Sequence, residues 1–170
     1  MFVFDPALPL PTEGGGNLLL PKCGPQDQSN IENADLVASF TSDVLTEHIA
    51  VTGKIAVDLF VMSSVNDTDF VVKVTDVFPS VDNSPPKSML VQDAIIRMRW
   101  REGDFATAPT LMTPGTVYNV TVSLGPTSYI FNPLHRIRVT VSSSNFPRFS
   151  VNPNTGKPVN DPSGAPKPNF

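Results

Sequence analysis

The chain has 170 residues and a formal net charge of −4, with 40 % hydrophobic and 16 % charged residues. That mix is too apolar for a disordered chain, and the length suffices for one domain with a core. The acidic balance offers no basic stripe to displace counterions from nucleic acid, and the longest apolar run is too short for a membrane helix.

Residues 1–34 read as an extended N-terminal arm. The stretch from Asp5 to Asn30 holds five prolines and four glycines, which block ladder hydrogen bonding and loosen the backbone. No signal peptide is visible at the start, which leans the expectation towards the cytoplasm. Cys23 is the single cysteine, so no internal disulfide and no Cys-rich metal site is expected.

Residues 35–150 carry strand signals. "DLVASFTS" alternates weakly. "HIAVTGKIAVDLFVMSS" sets Ile55, Val57, Leu59 and Val61 against Ala56, Asp58, Phe60 and Met62. "NDTD" supplies turn chemistry, with Asp67 as a turn cap. "DFVVKVTDVFP" puts Phe70, Val72 and Val74 on one face. "SMLVQDAIIRMRW" sets Leu90, Ala94, Ile96 and Met98 against Val91, Asp93, Ile95, Arg97 and Arg99. "TVYNVTVSL" turns Tyr118, Val120, Val122 and Leu124 inward and Asn119, Thr121 and Ser123 outward. "HRIRVTVSSS" turns Ile137, Val139 and Val141 inward and Arg136, Arg138 and Thr140 outward. Residues 151–170 have no strand signal and read as an irregular tail. Six or seven strands at this spacing, with no long helical period, predict an all-β antiparallel sandwich.

The chemistry-bearing residues are few. His135 could act as a base towards Ser142, Ser143 or Ser144, but no Gly-x-Ser-x-Gly elbow occurs and the serines sit on an alternating strand. His135 therefore reads as a structural hydrogen-bonder at a strand entrance, and no catalytic residue is assigned. Asp67, Asp69 and Asp76 are oxygen ligands of the kind calcium takes, without the ordered spacing of a calcium loop. Pairing of Asp69 or Asp76 with Arg97 or Arg99 is the expectation instead, and no metal or cofactor is assigned. Asn66-Asp67-Thr68 and Asn119-Val120-Thr121 fit the glycosylation sequon. Phe60, Phe70, Phe78, Trp100, Tyr129 and Phe131 could stack on sugars or fill a core.

Several segments, in order, resemble one family: "CGPQDQ", "VTGKIAVDLFVMSSVNDTDFVVKVTDVFP", "DAIIRMRWRE", "PTLMTPGTVYNVTVSLGPTSYIF", "HRIRVTVSSSNFPRF" and "NPNTG". Over roughly residues 3 to 156 the chain is similar to the C-terminal domain of the cocaine-esterase and Xaa-Pro dipeptidyl-peptidase family of serine hydrolases. The resemblance implies a jelly-roll β-sandwich, similar to galactose-binding modules, that follows an α/β-hydrolase domain carrying the triad. It implies structural roles for His135 and Arg136, and Leu134 stands where the family usually has glycine. It also implies that the arm, with Gly14, Gly15, Gly16, Leu18, Leu19 and Leu20, approaches the substrate cleft. The family's last strand, with a Pro-Ser-x-x-x-Leu-Pro segment, has no counterpart before the sequence ends in "SGAPKPNF", so an unpaired sheet edge is expected.

The function expected is that of a non-catalytic accessory domain, partnered by a hydrolase catalytic domain in cis or in trans. The alternatives are a free-standing carbohydrate- or ligand-binding sandwich, or a chain that itself hydrolyses esters. The three consecutive leucines and the open edge also predict a homo-oligomer.

Overall fold

The structure is a computed structural model and describes residues 1–16, 22–32, 35–103 and 108–158. Its regular elements are a single-turn helix α1 (Ser29–Glu32) and six strands: β1 (Ala38–Thr41), β2 (Ile49–Val61), β3 (Asp69–Val77), β4 (Ser88–Arg97), β5 (Tyr118–Phe131) and β6 (Arg136–Ser142). Four strands form one antiparallel sheet in the order β1-β6-β3-β4, and β2 and β5 pair antiparallel in a second. The all-β sandwich read from the sequence is what the chain forms.

The core lies between the sheets. Phe70, Val72 and Val74 of β3 and Val141 of β6 meet Val61 of β2 and Val120, Val122, Leu124 and Phe131 of β5. This is the alternation expected of half-buried strands, whose successive side chains point to opposite faces.

Three details differ from the sequence reading. β5 continues through Gly125 and Pro126 to Phe131, where the expectation ended near Leu124. Gly125 adopts φ +87°, and the β2–β5 register shifts at this point, so a bulge absorbs what looks like a turn signal. A second register shift falls between Val74 and Thr75, where Val74 pairs with Gln92 and Thr75 with Leu90. Val91 is the extra residue, and it packs on the core. Leu90 is buried outside the core cluster, directly across the ladder from Thr75, rather than facing inward with Ala94 and Ile96. A bulge reverses the pleat beyond it, which alternation cannot anticipate.

The third difference concerns the outer face of the four-stranded sheet. All nine residues of β3 are buried, so both faces of this strand are covered. The cover is the described part of residues 1–34 together with the segment after β6. Thr12 N–H donates to Phe146 O at 2.7 Å and Phe146 N–H to Leu10 O at 2.9 Å. Gln28 N–H donates to Ser88 O, and Leu90 N–H to Gln26 O, which sets this stretch beside β4. Leu10, Gln28, Ile31 and Glu32 are buried, and so is Thr140, which alternation turned outward. In this sandwich, outward means towards the arm rather than towards water.

Candidate interaction site

The covered face carries a polar platform. Lys73 lies in the middle of β3, opposite Asp93 of β4 and Thr140 of β6. A buried ammonium needs acceptors, because the interior cannot replace its hydration. Its Nζ donates to Gln28 Oε1 at 2.8 Å. Burial pulls the Lys73 pKa down to about 8, against the opposing pull of Asp93, Glu32 and Glu13. Gln28 passes the contact on: its Nε2 donates to the carbonyls of Glu13 at 2.9 Å and Gln26 at 3.1 Å. Asp93 receives Arg148 Nη2 at 3.2 Å and Asn145 Nδ2 at 3.2 Å. Its carboxyl is pushed up by burial, with Arg148 and Lys73 working the other way. Glu32 accepts Arg138 Nη1 at 2.6 Å, Ser88 Oγ at 2.8 Å and Thr75 Oγ1 at 3.1 Å.

A glycine hairpin stands on this platform. Gly15 and Gly24 exchange backbone hydrogen bonds at 2.8 and 2.9 Å. Gly14 has φ +70°, and a Cβ there would sit 2.4 Å from Gly24 O. Gly15 has φ +76°, and its Cβ would lie 2.8 Å from Arg148 Nη1. Only glycine allows both the left-handed backbone and the close approach. The base of the hairpin is thus tied to Gln28, Arg148 and Asp93. Leu18, Leu19 and Leu20, expected from the resemblance to approach the substrate cleft, lie outside the described residues.

The other singled-out residues fall into two buried clusters. Asp69 and Arg97 are direct cross-strand partners and form a paired contact at 2.8 and 2.7 Å. Arg99 pairs with Asp67 at 2.9 and 2.7 Å. Asn152 Nδ2 donates to Asp67 Oδ2 and Asp69 Oδ1, at 2.8 Å each, and joins the two pairs. Burial pushes the Asp69 carboxyl up, against the hydrogen bond and charge of Arg97. Arg97 and Arg99 also donate to the carbonyls of Ser150 and Lys157, so the pairs fasten the segment after β6. Asp67, read above as a turn cap, is instead fully buried beneath Arg99. Asn152 opens the "NPNTG" segment, but no local pattern signalled this role, because its partners lie 85 and 83 residues away.

Asp76 belongs to the second cluster and meets neither arginine. Its Oδ1 lies 2.8 Å from His135 Nδ1, and its Oδ2 accepts Tyr129 Oη at 2.9 Å. The ring of Phe78 packs on that of His135, with centroids 4.4 Å apart. Arg136 Nη1 donates to Ser42 O at 2.8 Å. The serines weighed as nucleophiles are buried: Ser142 Oγ donates to Ser144 O, and Ser144 Oγ accepts the N–H of Leu10 from the arm. Of the six aromatic residues, Phe70 and Phe131 fill the core, whereas Phe60 is 77 % exposed. Of the two sequons, Asn66 packs against Gly156, while Asn119 and Thr121 face outward on β5.

An apolar groove of about 600 Å³ opens between β1 and β2, lined by Phe2, Phe4, Phe40, Phe60 and Met62. Phe2 packs on the core and closes part of it.

The comparisons with known proteins agree with this architecture. Residues 3–170 match the model of the X-Pro dipeptidyl-peptidase C-terminal non-catalytic domain. The chain is 43 % identical over 157 residues to a cocaine esterase of Rhodococcus sp. (strain MB1 Bresler), covering 91 % of this chain and 26 % of that protein. Among solved structures, it is similar to an aminopeptidase from a marine sediment archaeon, Thaumarchaeota archaeon, with TM-score 0.80 and 31 % identity. It is similar to an alpha-amino acid ester hydrolase with TM-score 0.78 and 31 % identity. In both cases 92 % of this chain covers 27 % of the other. The chain therefore spans about a quarter of the length of these relatives. With the matched model extending over the arm, both sheets and the segment after β6, the chain belongs to the family of X-Pro dipeptidyl-peptidase C-terminal non-catalytic domains.

Proposed function

We propose that the chain packs on an α/β-hydrolase catalytic domain, in cis or in trans, and that its glycine hairpin helps wall the substrate cleft of that domain. The carrying observation is the hairpin itself. Its base is fixed by the Gly15–Gly24 pair and by the Lys73–Gln28 contact, and the sequence between the two glycines holds three consecutive leucines. A base already held in place suits docking against another domain, since less ordering entropy is left to lose there. The chain supplies no chemistry in this reading. His135 is turned by Nδ1 towards a buried carboxylate, and Ser142 and Ser144 are bonded to backbone.

The test uses the catalytic portion of the Rhodococcus cocaine esterase without its own C-terminal domain. Added chain is expected to bind it, and Leu19→Asp to weaken that binding at least tenfold. The chain alone is expected to leave p-nitrophenyl esters and Xaa-Pro peptides intact. Turnover that disappears in His135→Ala would replace this reading with a catalytic one. Retention on polysaccharide gels that is lost in Phe60→Ala would support the sugar-binding alternative.

A further inference from the structure

Two of the acids around Lys73 are already matched by arginines. Asp93 receives Arg148 at 3.2 Å, and Glu32 receives Arg138 at 2.6 Å. Lys73 is buried, and among the described residues it forms no ion pair of its own. Its direct partner is a neutral amide, that of Gln28. Gln28 holds both legs of the glycine hairpin: its Nε2 donates to the carbonyl of Glu13, just before Gly14, and to that of Gln26, after Gly24. Those two acceptors decide which end of the amide faces Lys73, so Oε1 points at Nζ.

An amine without its extra proton still has N–H bonds to give, so the contact with Oε1 survives deprotonation. A charged ammonium, by contrast, loses its water when the arm covers it and gains no counterion of its own. Burial is the largest influence on Lys73 and acts to release the proton. Asp93 of β4, Glu32 of α1 and Glu13 of the arm act to keep it, and Arg148 after β6 acts with burial. We propose that the arm closes over the four-stranded sheet with release of one proton from Lys73, and that lifting the arm takes that proton back. Closing turns –NH3+ into –NH2 and gives one H+ to water. The sign follows from linkage. Covered, Lys73 titrates at about 8; free in water, at 10.5. Below that window the ammonium persists in both forms and the balance is flat. Inside it only the lifted form holds the proton, so rising pH favours the closed arm. The coupling belongs to the chain alone and needs no catalytic domain; only its consequence for a substrate cleft rests on the docking proposed above.

The test is the rate at which a buried thiol reacts with an aromatic disulfide reagent. Ile31→Cys places the thiol beneath the arm and Val122→Cys places it in the core between the sheets, each in a Cys23→Ser background, with circular dichroism to show that each chain is folded. Each rate is divided by that of a free cysteine peptide at the same pH, which removes the thiol's own titration. The thiol at position 31 is expected to react faster than the one at 122, and its normalised rate to fall more than about tenfold from about pH 8 to about pH 10. Lys73→Met is expected to make that rate independent of pH. Gln28→Glu loses the grip on the two carbonyls but gives Lys73 a carboxylate of its own, so its rate is expected to be higher at every pH and to fall less than about threefold over the same range. A rate at position 31 that is flat with pH while Lys73 is intact would overturn the proposal. So would a fall that persists in Lys73→Met, a Gln28→Glu variant as steep as the chain with Gln28, or equal rates at the two thiols, which would mean that the arm never lifts apart from the sandwich.

Discussion

Leu134 shows how one residue can carry a cost that its neighbours impose. His135 N–H donates to Asn132 O at 3.2 Å, which closes a turn with Pro133 and Leu134 at its centre. Leu134 has φ +69°. A turn with proline first and a positive φ second is type II, and the second place favours glycine. An L-residue with a side chain pays about 1–2 kcal/mol in the left-handed region. Leu134 is exposed, so little packing is lost with its side chain. Leu134→Gly is therefore expected to stabilise the chain by about 0.5–1 kcal/mol after the extra freedom of unfolded glycine is subtracted, read as a higher midpoint in urea. The arginines at the end of β4 are a second case. Arg99 and Asp67 are both almost fully buried, whereas Arg97 keeps 20 % of its side chain in water. Removing one partner of a buried pair strands the other charge, at a cost of about 3–5 kcal/mol. Arg99→Met is expected to lose that much in chemical denaturation, and Arg97→Met distinctly less.

At the scale of elements, the hairpin at Gly14–Gly24 and the platform beneath it act as one unit. Gly14→Ala would place a methyl group against Gly24 O while holding a left-handed backbone. The conformational part alone costs about 1–2 kcal/mol. The Gly15–Gly24 pair is expected to open, which limited proteolysis would detect as new cleavage near residues 17–21 while the sandwich survives. The β3–β4 pair teaches a related lesson. Strict alternation places Ala94 and Ile96 correctly but misassigns Leu90 and Val91, because one bulge lies between them. Strand positions could be read from periodicity; bulges could not, since they depend on how two paired strands match residue for residue, which neither strand's own pattern records.

For the whole molecule, the buried titratable groups set a pH dependence of opposite signs. Lys73 has a folded pKa of about 8, below its ordinary 10.5. Between these values the unfolded chain binds more protons, so this group makes stability rise with pH from about 8 to 10.5. The full span corresponds to about 3 kcal/mol, since each pKa unit is worth about 1.4 kcal/mol. Tyr129 is pushed the other way, to about 12, by burial and by its hydrogen bond to Asp76. The folded chain holds that proton longer, so stability falls as pH rises from about 10 to 12. Thermal melts should reach a maximum near pH 10, with Lys73→Met removing the rise and Tyr129→Phe softening the fall. The sequence by itself determined the fold class, the inward faces of β5 and β6, the two alternating faces of β2 and β3 without saying which turns inward, and the family, because alternation and turn residues are local signals and the motifs are contiguous. It also determined that Asp69 would need a cation near β4. Only the tertiary structure decided which partner each acid meets: Arg97 for Asp69, Arg99 for Asp67, and the His135 ring for Asp76. It alone decided that the arm and the segment after β6 turn an outer sheet face into a second buried layer. The physical reason is that a buried charge takes its partner from whatever the fold brings within hydrogen-bond reach, and here Gln28, Asn145, Arg148 and Asn152 come from segments whose own composition carries no periodic signal.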